Sequence, residues 1–399
     1  MIVREIYLNK LRKYRDKKLI KVITGIRRCG KSTLMQLFQK HLTESGVESN
    51  QIIAINFEDF EYYDLLETKT LYAYLKEKIS DSRKKYYIFL DEIQQVDNFE
   101  RIMDSLYIKD NVDLYVTGSN AKLLSGELST LLSGRYVEIM MLPLSFKEFV
   151  SAHSQPINFK EVYNRYIQYG SLPYVLELDE DEEIIRGYLE GVFNTVVLKD
   201  IVARKKIADV MMLDSVIRFL FDVVGSIISI KKISDTLTSS GRKISSHTVE
   251  SYITGLVDSF VLYPVKRYDI KGKQHLKTLE KYYIADLGLR YLQLGNRGVD
   301  LGHLLENVVY LELLRRGYDV YIGKIDAYEI DFIAVSQKET LYYQVAFTVK
   351  DKETLERELR PLRAVSDHYP KYIITLDDDI EISYDGIRVI NAIDFLLET

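Results

Sequence analysis

A chain of 399 residues, 47% of them apolar, is too long for a single core and too apolar for disorder throughout, so two or three domains are expected. The net charge of −5 excludes a basic protein overall, and the single cysteine, Cys29, excludes an intrachain disulfide and fits a reducing cytosol. The opening "MIVREIYLNKLRKYRDKK" has no apolar core of a secretory signal, and no apolar run approaches the roughly 20 residues of a membrane span. The expectation is a soluble cytoplasmic protein without membrane contact.

From Leu19 to Leu142 short apolar runs alternate with helix-like segments, the pattern of parallel strands joined by crossover helices. The runs are "LIKVITG", "QIIAINFED", "YYIFLDE", "VDLYVTGSN" and "RYVEIMML". After the first, "STLMQLFQKHL" places Leu34, Leu37, Phe38 and Leu42 at helical spacing. Residues 145–210 read as helices, with the acidic "DEDEE" at Asp179–Glu183 solvating a helix start. Residues 211–300 read as three helices and a strand pair. Residues 301–399 read as a helix, "HLLENVVYLELLRRG", and the strands "DVYIG", "EIDFIAV", "LYYQVAF" and "KYIITL". No internal repeat or low-complexity linker marks the boundaries.

The segment "GIRRCGKST" follows the first strand and opens the first long helix. In that context the spacing G-x-x-x-x-G-K-S describes a loop whose N–H groups and helix N-terminus surround a polyphosphate. Gly25 and Gly30 leave room for close backbone approach. Lys31 is expected on the β- and γ-phosphates and the Ser32 hydroxyl on Mg²⁺. "YYIFLDE" ends in Asp91, expected to hold the Mg²⁺ shell, and Glu92, expected to polarise the attacking water. "LYVTGSN" brings Ser119 or Asn120 to the tip of another strand, within reach of the γ-phosphate or that water. The alternative makes Asp91 and Glu92 a helix cap and "TGSN" a turn.

The run from "GIRRCGKST" through "FLDEIQ" and "VTGSNAKLLSGELSTLLSGRYVEIMMLPLSFKEF", then "GSLPYVL", "YYIADLGLR" and "LLENVVYLELLRRG", resembles prokaryotic AAA+-type ATPases with a C-terminal domain of unknown function. The resemblance covers nearly the whole chain. It implies ATP and Mg²⁺ as cofactors, a Walker A loop of Gly25, Ile26, Arg27, Arg28, Cys29, Gly30, Lys31, Ser32 and Thr33, and a Walker B pair of Asp91 and Glu92. It puts Ser119 and Asn120 at the sensor position. Arg135 in "LSGR" is placed either as an arginine finger acting in trans or as a surface ion pair. Arg165 and Arg186 are the candidates for a lid-domain sensor. Cys29 stands where small or polar residues are common.

Residues 230–258 have helix-turn-helix proportions, followed by strands that resemble a wing. Within residues 226–285 ten basic residues face five acidic ones, and Lys266, Arg267, Lys271 and Lys273 cluster around Gly272. That points to DNA phosphates, with a protein partner as the alternative. The last hundred residues resemble the restriction-endonuclease-like fold, whose sites hold a divalent metal on carboxylates beside a lysine. Glu306 and Asp331 match the first two acidic positions. Gln344 replaces the third acid and Ala346 the lysine, leaving Lys350 and Lys324 as poor substitutes and the nuclease site degenerate.

The expected architecture is an α/β P-loop ATPase domain (1–144), a helical lid (145–210), a winged helix (211–300) and a degenerate nuclease-like α/β domain (301–399). The expected activity is Mg²⁺-dependent ATP hydrolysis in a homo-oligomer acting on nucleic acid or a protein partner. The alternatives are an ATP-regulated nuclease with its lysine from elsewhere, and a nucleotide-dependent switch or scaffold with little turnover.

Overall fold

The computed structural model describes residues 2–121, 132, 134–153, 156–178, 181–276, 279–295, 300–378 and 383–398. Two compact units emerge, residues 1–143 with 258–260, and residues 144–257 with 261–399.

The first unit opens with a helix, α1 (Glu5–Tyr14), and is built on five parallel strands: β1 (Ile20–Thr24), β2 (Ile52–Asn56), β3 (Tyr86–Asp91), β4 (Val112–Gly118) and β5 (Tyr136–Met140). Their order is β2-β3-β4-β1-β5, so all five apolar runs form one parallel sheet. The three inner strands, β1, β3 and β4, are buried at every position, whereas the edge strands β2 and β5 mix buried with exposed residues. Both faces of the inner strands are therefore covered, which is why they read as continuous apolar runs. The helix α2 (Lys31–Glu44) buries Leu34, Phe38 and Leu42 as an i, i+4 stripe, with Met35 taking the depth expected of Leu37. Phe38 meets Tyr115 and Phe89 at ring-centroid distances of 5.2 and 6.3 Å, so the stripe docks on β3 and β4. Helices α3 (Thr68–Lys78) and α4 (Phe99–Tyr107) also belong to this unit.

In the second unit residues 145–210 are helical as expected: α5 (Phe146–Val150), α6 (Phe159–Tyr169) and α7 (Glu182–Asn194), the last widening into a π-helical stretch at Thr195–Val202. Asp181 caps α7 by accepting from the N–H groups of Glu183 and Ile184. Asp179 and Glu180 lie outside the described residues. Helices α8 (Val210–Asp222), α9 (Ile230–Ser239) and α10 (Ser246–Asp258) lead to β6 (Leu262–Val265), β7 (Arg267–Asp269), β8 (Gln274–His275) and β9 (Lys281–Ile284). Helices α11 (Leu287–Leu294) and α12 (Leu301–Arg315) follow. Then come β10 (Asp319–Ile325), β11 (Tyr328–Val335), β12 (Thr340–Ala346), α13 (Lys352–Ala364), β13 (Lys371–Thr375), β14 (Ser383–Tyr384), β15 (Ile387–Asn391) and α14 (Ala392–Leu397).

Eight of these strands form one mixed sheet in the order β14-β15-β13-β12-β11-β10-β7-β8, while β6 and β9 pair separately as an antiparallel ribbon. The sheet crosses the boundary expected at residue 300, because β7 pairs in parallel with β10 through Ile322, Gly323 and Lys324. What the sequence presents as one wing is divided. Its first and last strands make the ribbon, and the hairpin between them extends the large sheet. Helix α12 docks on β9 through Asn307, whose side chain accepts from the Ile284 N–H at 2.7 Å and donates to the Ile284 carbonyl at 2.9 Å. Tyr283 stacks on Tyr310 of the same helix at 4.5 Å.

Candidate active site

Register brings the phosphate loop and the acidic strand together. Thr24 lies beside Gly118 in the pairing of β1 with β4, and Leu90 lies beside Val116 in the pairing of β3 with β4. The residues that follow these strands, Gly25, Glu92 and Ser119, therefore emerge at one end of the sheet. The loop between β1 and α2 bends through Gly25 at φ 144°, Arg28 at φ 66° and Gly30 at φ 101°. A Cβ on Gly25 would stand 2.2 Å from the Met141 carbonyl oxygen, so only glycine fits there.

Lys31 is the first residue of α2 and is buried. Its ammonium donates to the carbonyls of Gly25 at 3.0 Å and Ile26 at 3.2 Å, and stands 3.8 Å from a Glu92 oxygen. Ser32 is exposed and Thr33 half-buried on the same first turn. Arg27 is half-buried and pairs with Glu58 at 2.9 Å. Cys29 is fully buried, and burial pushes its thiol above the ordinary range, so it is a small packing residue rather than a nucleophile.

Asp91 and Glu92 are both buried, and one hydroxyl ties them together. Thr117 donates to the Asp91 carboxylate and accepts from the Glu92 backbone N–H at 2.9 Å. Glu92 sits at φ 54°, a strained conformation for a side chain of its size. Its carboxylate accepts from the Ser119 hydroxyl at 3.2 Å and from the Gln94 amide. Asn120 is buried beside Ser119 in sequence. Reading the motifs missed Thr117 and Gln94. The signal for Thr117 was present, since a hydroxyl residue two positions before Ser119 on a central strand must find a partner.

Arg135 is not in this group. Its carbonyl accepts from the Ile20 N–H at 2.8 Å, which sets it at the start of β5, level with the start of β1. The loop lies beyond the other end of that strand, on the order of 13 Å away. The guanidinium pairs with Asp104 and lies 5.4 Å from the Tyr107 ring centroid. Arg165 and Arg186 belong to the second unit, on α6 and α7.

In the basic hairpin, Lys266, Lys271 and Lys273 are exposed and Arg267 is half-buried. Lys271 pairs with Asp326 at 2.6 Å, so its charge is partly spent within the chain. Lys277 lies outside the described residues.

The acidic residues of the last hundred positions do converge. Glu306 on α12 and Asp331 on β11 flank a lysine that lies outside the motif spacing. Lys281 on β9 stands 2.7 Å from Glu306, 2.9 Å from Glu329 and 3.6 Å from Asp331. Tyr283, two residues along and on the same face of β9, donates to Glu306. Gln344 is committed at both ends of its amide. Its amide oxygen accepts from the Asp331 N–H at 2.9 Å, and its amide nitrogen donates to Glu358 at 2.8 Å. Burial, reinforced by the Glu306 charge, pushes the Asp331 carboxyl up to about 8 against the pull of Lys281 and the Val345 N–H. Burial lowers the Lys281 ammonium, but Glu306, Asp331 and Glu329 outweigh it and hold the proton above the ordinary lysine range. Lys350 is exposed beyond the end of β12, and Lys324 lies on β10.

Comparison with known proteins fits this picture. Residues 17–150 match a family model described as an AAA domain, and residues 160–300 match one described as a domain of unknown function. An uncharacterized protein of Haemophilus influenzae is 44% identical over 401 residues, covering 100% of this chain and 99% of its own length. Uncharacterized protein MJ1544 of Methanocaldococcus jannaschii is 31% identical over 385 residues, covering 90% of this chain and 82% of its own. The chain belongs to the family of these proteins. Its fold is similar to that of a Walker-type ATPase of Pyrococcus abyssi, with a TM-score of 0.53 at 14% identity over 73% of this chain and 96% of that one. This family member thus carries an AAA-type P-loop ATPase domain, and the five-stranded parallel sheet is its core. Among the described residues no helix is long and apolar enough to cross a membrane.

Proposed function

We propose that the protein is a Mg²⁺-dependent ATPase that works as a homo-oligomer on DNA or on a protein partner. The observation that carries the proposal is the meeting of Lys31, Asp91, Glu92 and Ser119 at one end of the parallel sheet, with Lys31 3.8 Å from Glu92. The loop N–H groups and Lys31 hold the β- and γ-phosphates; a phosphate oxygen is a stronger partner for the ammonium than the two carbonyls it now meets. Ser32 and Asp91 are hard oxygen donors suited to Mg²⁺, which when bound neutralises charge on the transferred phosphoryl group. Glu92 orients and deprotonates the attacking water, and Ser119 and Asn120 fix the Glu92 carboxylate and the γ-phosphate. Arg135, level with the start of β1, is too far from its own site to serve it, so a catalytic role for it is one toward a neighbouring subunit, with the ion pair to Asp104 as the alternative.

The remaining parts follow the same reading. Residues 145–210 act as the lid, α9 and α10 with the basic hairpin contact nucleic acid, and residues 301–399 are a nuclease-like domain without nuclease activity. The deciding experiment measures steady-state phosphate release and binding of a fluorescent ATP analogue. Lys31→Ala is expected to lose affinity and turnover together. Parental affinity in Lys31→Ala would overturn the assignment of the phosphate loop.

A further inference from the structure

The carboxylates of the C-terminal sheet surround a cation that the chain itself supplies. Lys281 enters from β9, a strand outside the large sheet, and its side chain is only 4% exposed. An ammonium has three N–H donors. Here it has three carboxylate neighbours, Glu306 at 2.7 Å, Glu329 at 2.9 Å and Asp331 at 3.6 Å. Glu329 and Asp331 lie on one face of β11, two residues apart, and Glu306 reaches in from α12. A divalent ion bound by these oxygens would need the space that Nζ fills, because such ions sit about 2.0–2.6 Å from each oxygen. Two cations of like sign cannot share it.

The charge balance agrees. A neutral residue, Gln344, stands beside Asp331 and is committed to the Asp331 N–H and to Glu358. Gln344 adds no charge to the cluster, and the next carboxylate, Glu358, is engaged by Gln344 and Arg357. Neither is the lysine poised for chemistry on a phosphate, since it donates to Glu306, lies 2.9 Å from Glu329 and has a side chain only 4% exposed.

We infer that Lys281 is the resident cation of this carboxylate site, occupying the position a divalent metal would need and closing the C-terminal sheet to metal-dependent phosphodiester cleavage. The inference is independent of the ATPase reading, and its test uses full-length protein without nucleotide. The melting temperature of the parent is measured in EDTA and in millimolar Mn²⁺ or Ca²⁺, alongside Glu306→Gln and Lys281→Ala. The parent is expected to be indifferent to the metals. Lys281→Ala, left with uncompensated carboxylates, is expected to melt lower in EDTA and to recover by roughly 5 °C or more in Mn²⁺. A soluble Lys281→Ala that ignores the metal would overturn the inference. So would a metal-induced rise in the parent that Glu306→Gln abolishes. If Lys281→Ala does not fold, the parent and Glu306→Gln titrations decide alone. Plasmid cleavage by the parent in Mn²⁺ that disappears in Asp331→Ala but survives in Lys31→Ala would also overturn it.

Discussion

Thr117 donates its hydroxyl to the Asp91 carboxylate while accepting the backbone N–H of the next residue, so one side chain on β4 sets the geometry at the end of β3. Thr117→Val keeps the shape and removes both bonds. Leaving the buried Glu92 N–H unsatisfied is expected to cost about 1–3 kcal/mol of stability. ATP turnover should fall by more than nucleotide affinity does. Unchanged turnover in a folded Thr117→Val protein would show that Asp91 and Glu92 need no such support.

Glu92→Gln separates binding from chemistry. The amide keeps the size of the side chain but cannot take a proton from water. Affinity for ATP should stay within about threefold of the parent while turnover falls by roughly 10²-fold or more. Parental hydrolysis by this variant would remove Glu92 from the role of base.

The place of Arg135 is tested by mixing. Arg135→Ala is expected to bind ATP normally and turn over at least about tenfold more slowly. Added Lys31→Ala protein, itself inactive, should restore activity by presenting its Arg135 to the intact nucleotide sites of the first variant. No restoration at any ratio, with the parent a monomer by light scattering, would leave Arg135 with its structural pairing to Asp104 alone.

Replacing Lys266, Arg267, Lys271 and Lys273 with alanine should weaken DNA binding equally across sequences. Lys271 is already paired with Asp326, so the slope of log affinity against log salt should drop by roughly three rather than four. Equal affinity and slope in the two proteins would assign this hairpin to a protein partner.

Asp331 gives a pH signature. Its folded carboxyl lies at about 8, well above the unfolded value near 4, so between them the folded state holds a proton that the unfolded state has lost. Stability from this group is complete below about pH 4 and falls as pH rises toward 8, by at most about 1.4 kcal/mol per pH unit. Asp331→Asn should flatten that decline in urea unfolding measured from pH 5 to pH 8. A variant whose pH dependence matches the parent's would contradict the shift.

The parallel core and the phosphate loop were legible because their signals are local. Five apolar runs specify the five parallel strands, and the loop carries its glycines, lysine and serine within nine residues. The C-terminal cluster was half legible. Glu306 and Asp331 stand in a recognisable spacing, but Lys281 approaches from a strand that precedes them and pairs with β6 instead of with the large sheet. No spacing rule links position 281 to 331. The one local clue was a lysine opening "KYYIA", an otherwise apolar and aromatic run, where a buried charge demands a partner. The divided wing was hidden for a similar reason, since β7 finds its partner more than fifty residues downstream in β10.

That pairing limits how the chain can be exchanged between relatives. Two of the eight strands of the large sheet, β7 and β8, are encoded before residue 300 and the rest after residue 318. A chimera joined at residue 300 would bring together a hairpin and a sheet edge from different parents, and would ask Lys281 to meet carboxylates that it had not been matched to. Unless both halves agreed, β10 would be left as a bare edge, open to pairing with another chain. Inheritance should therefore keep residues 262–399 as one block, with substitutions in β7, β9 and β10 arising together.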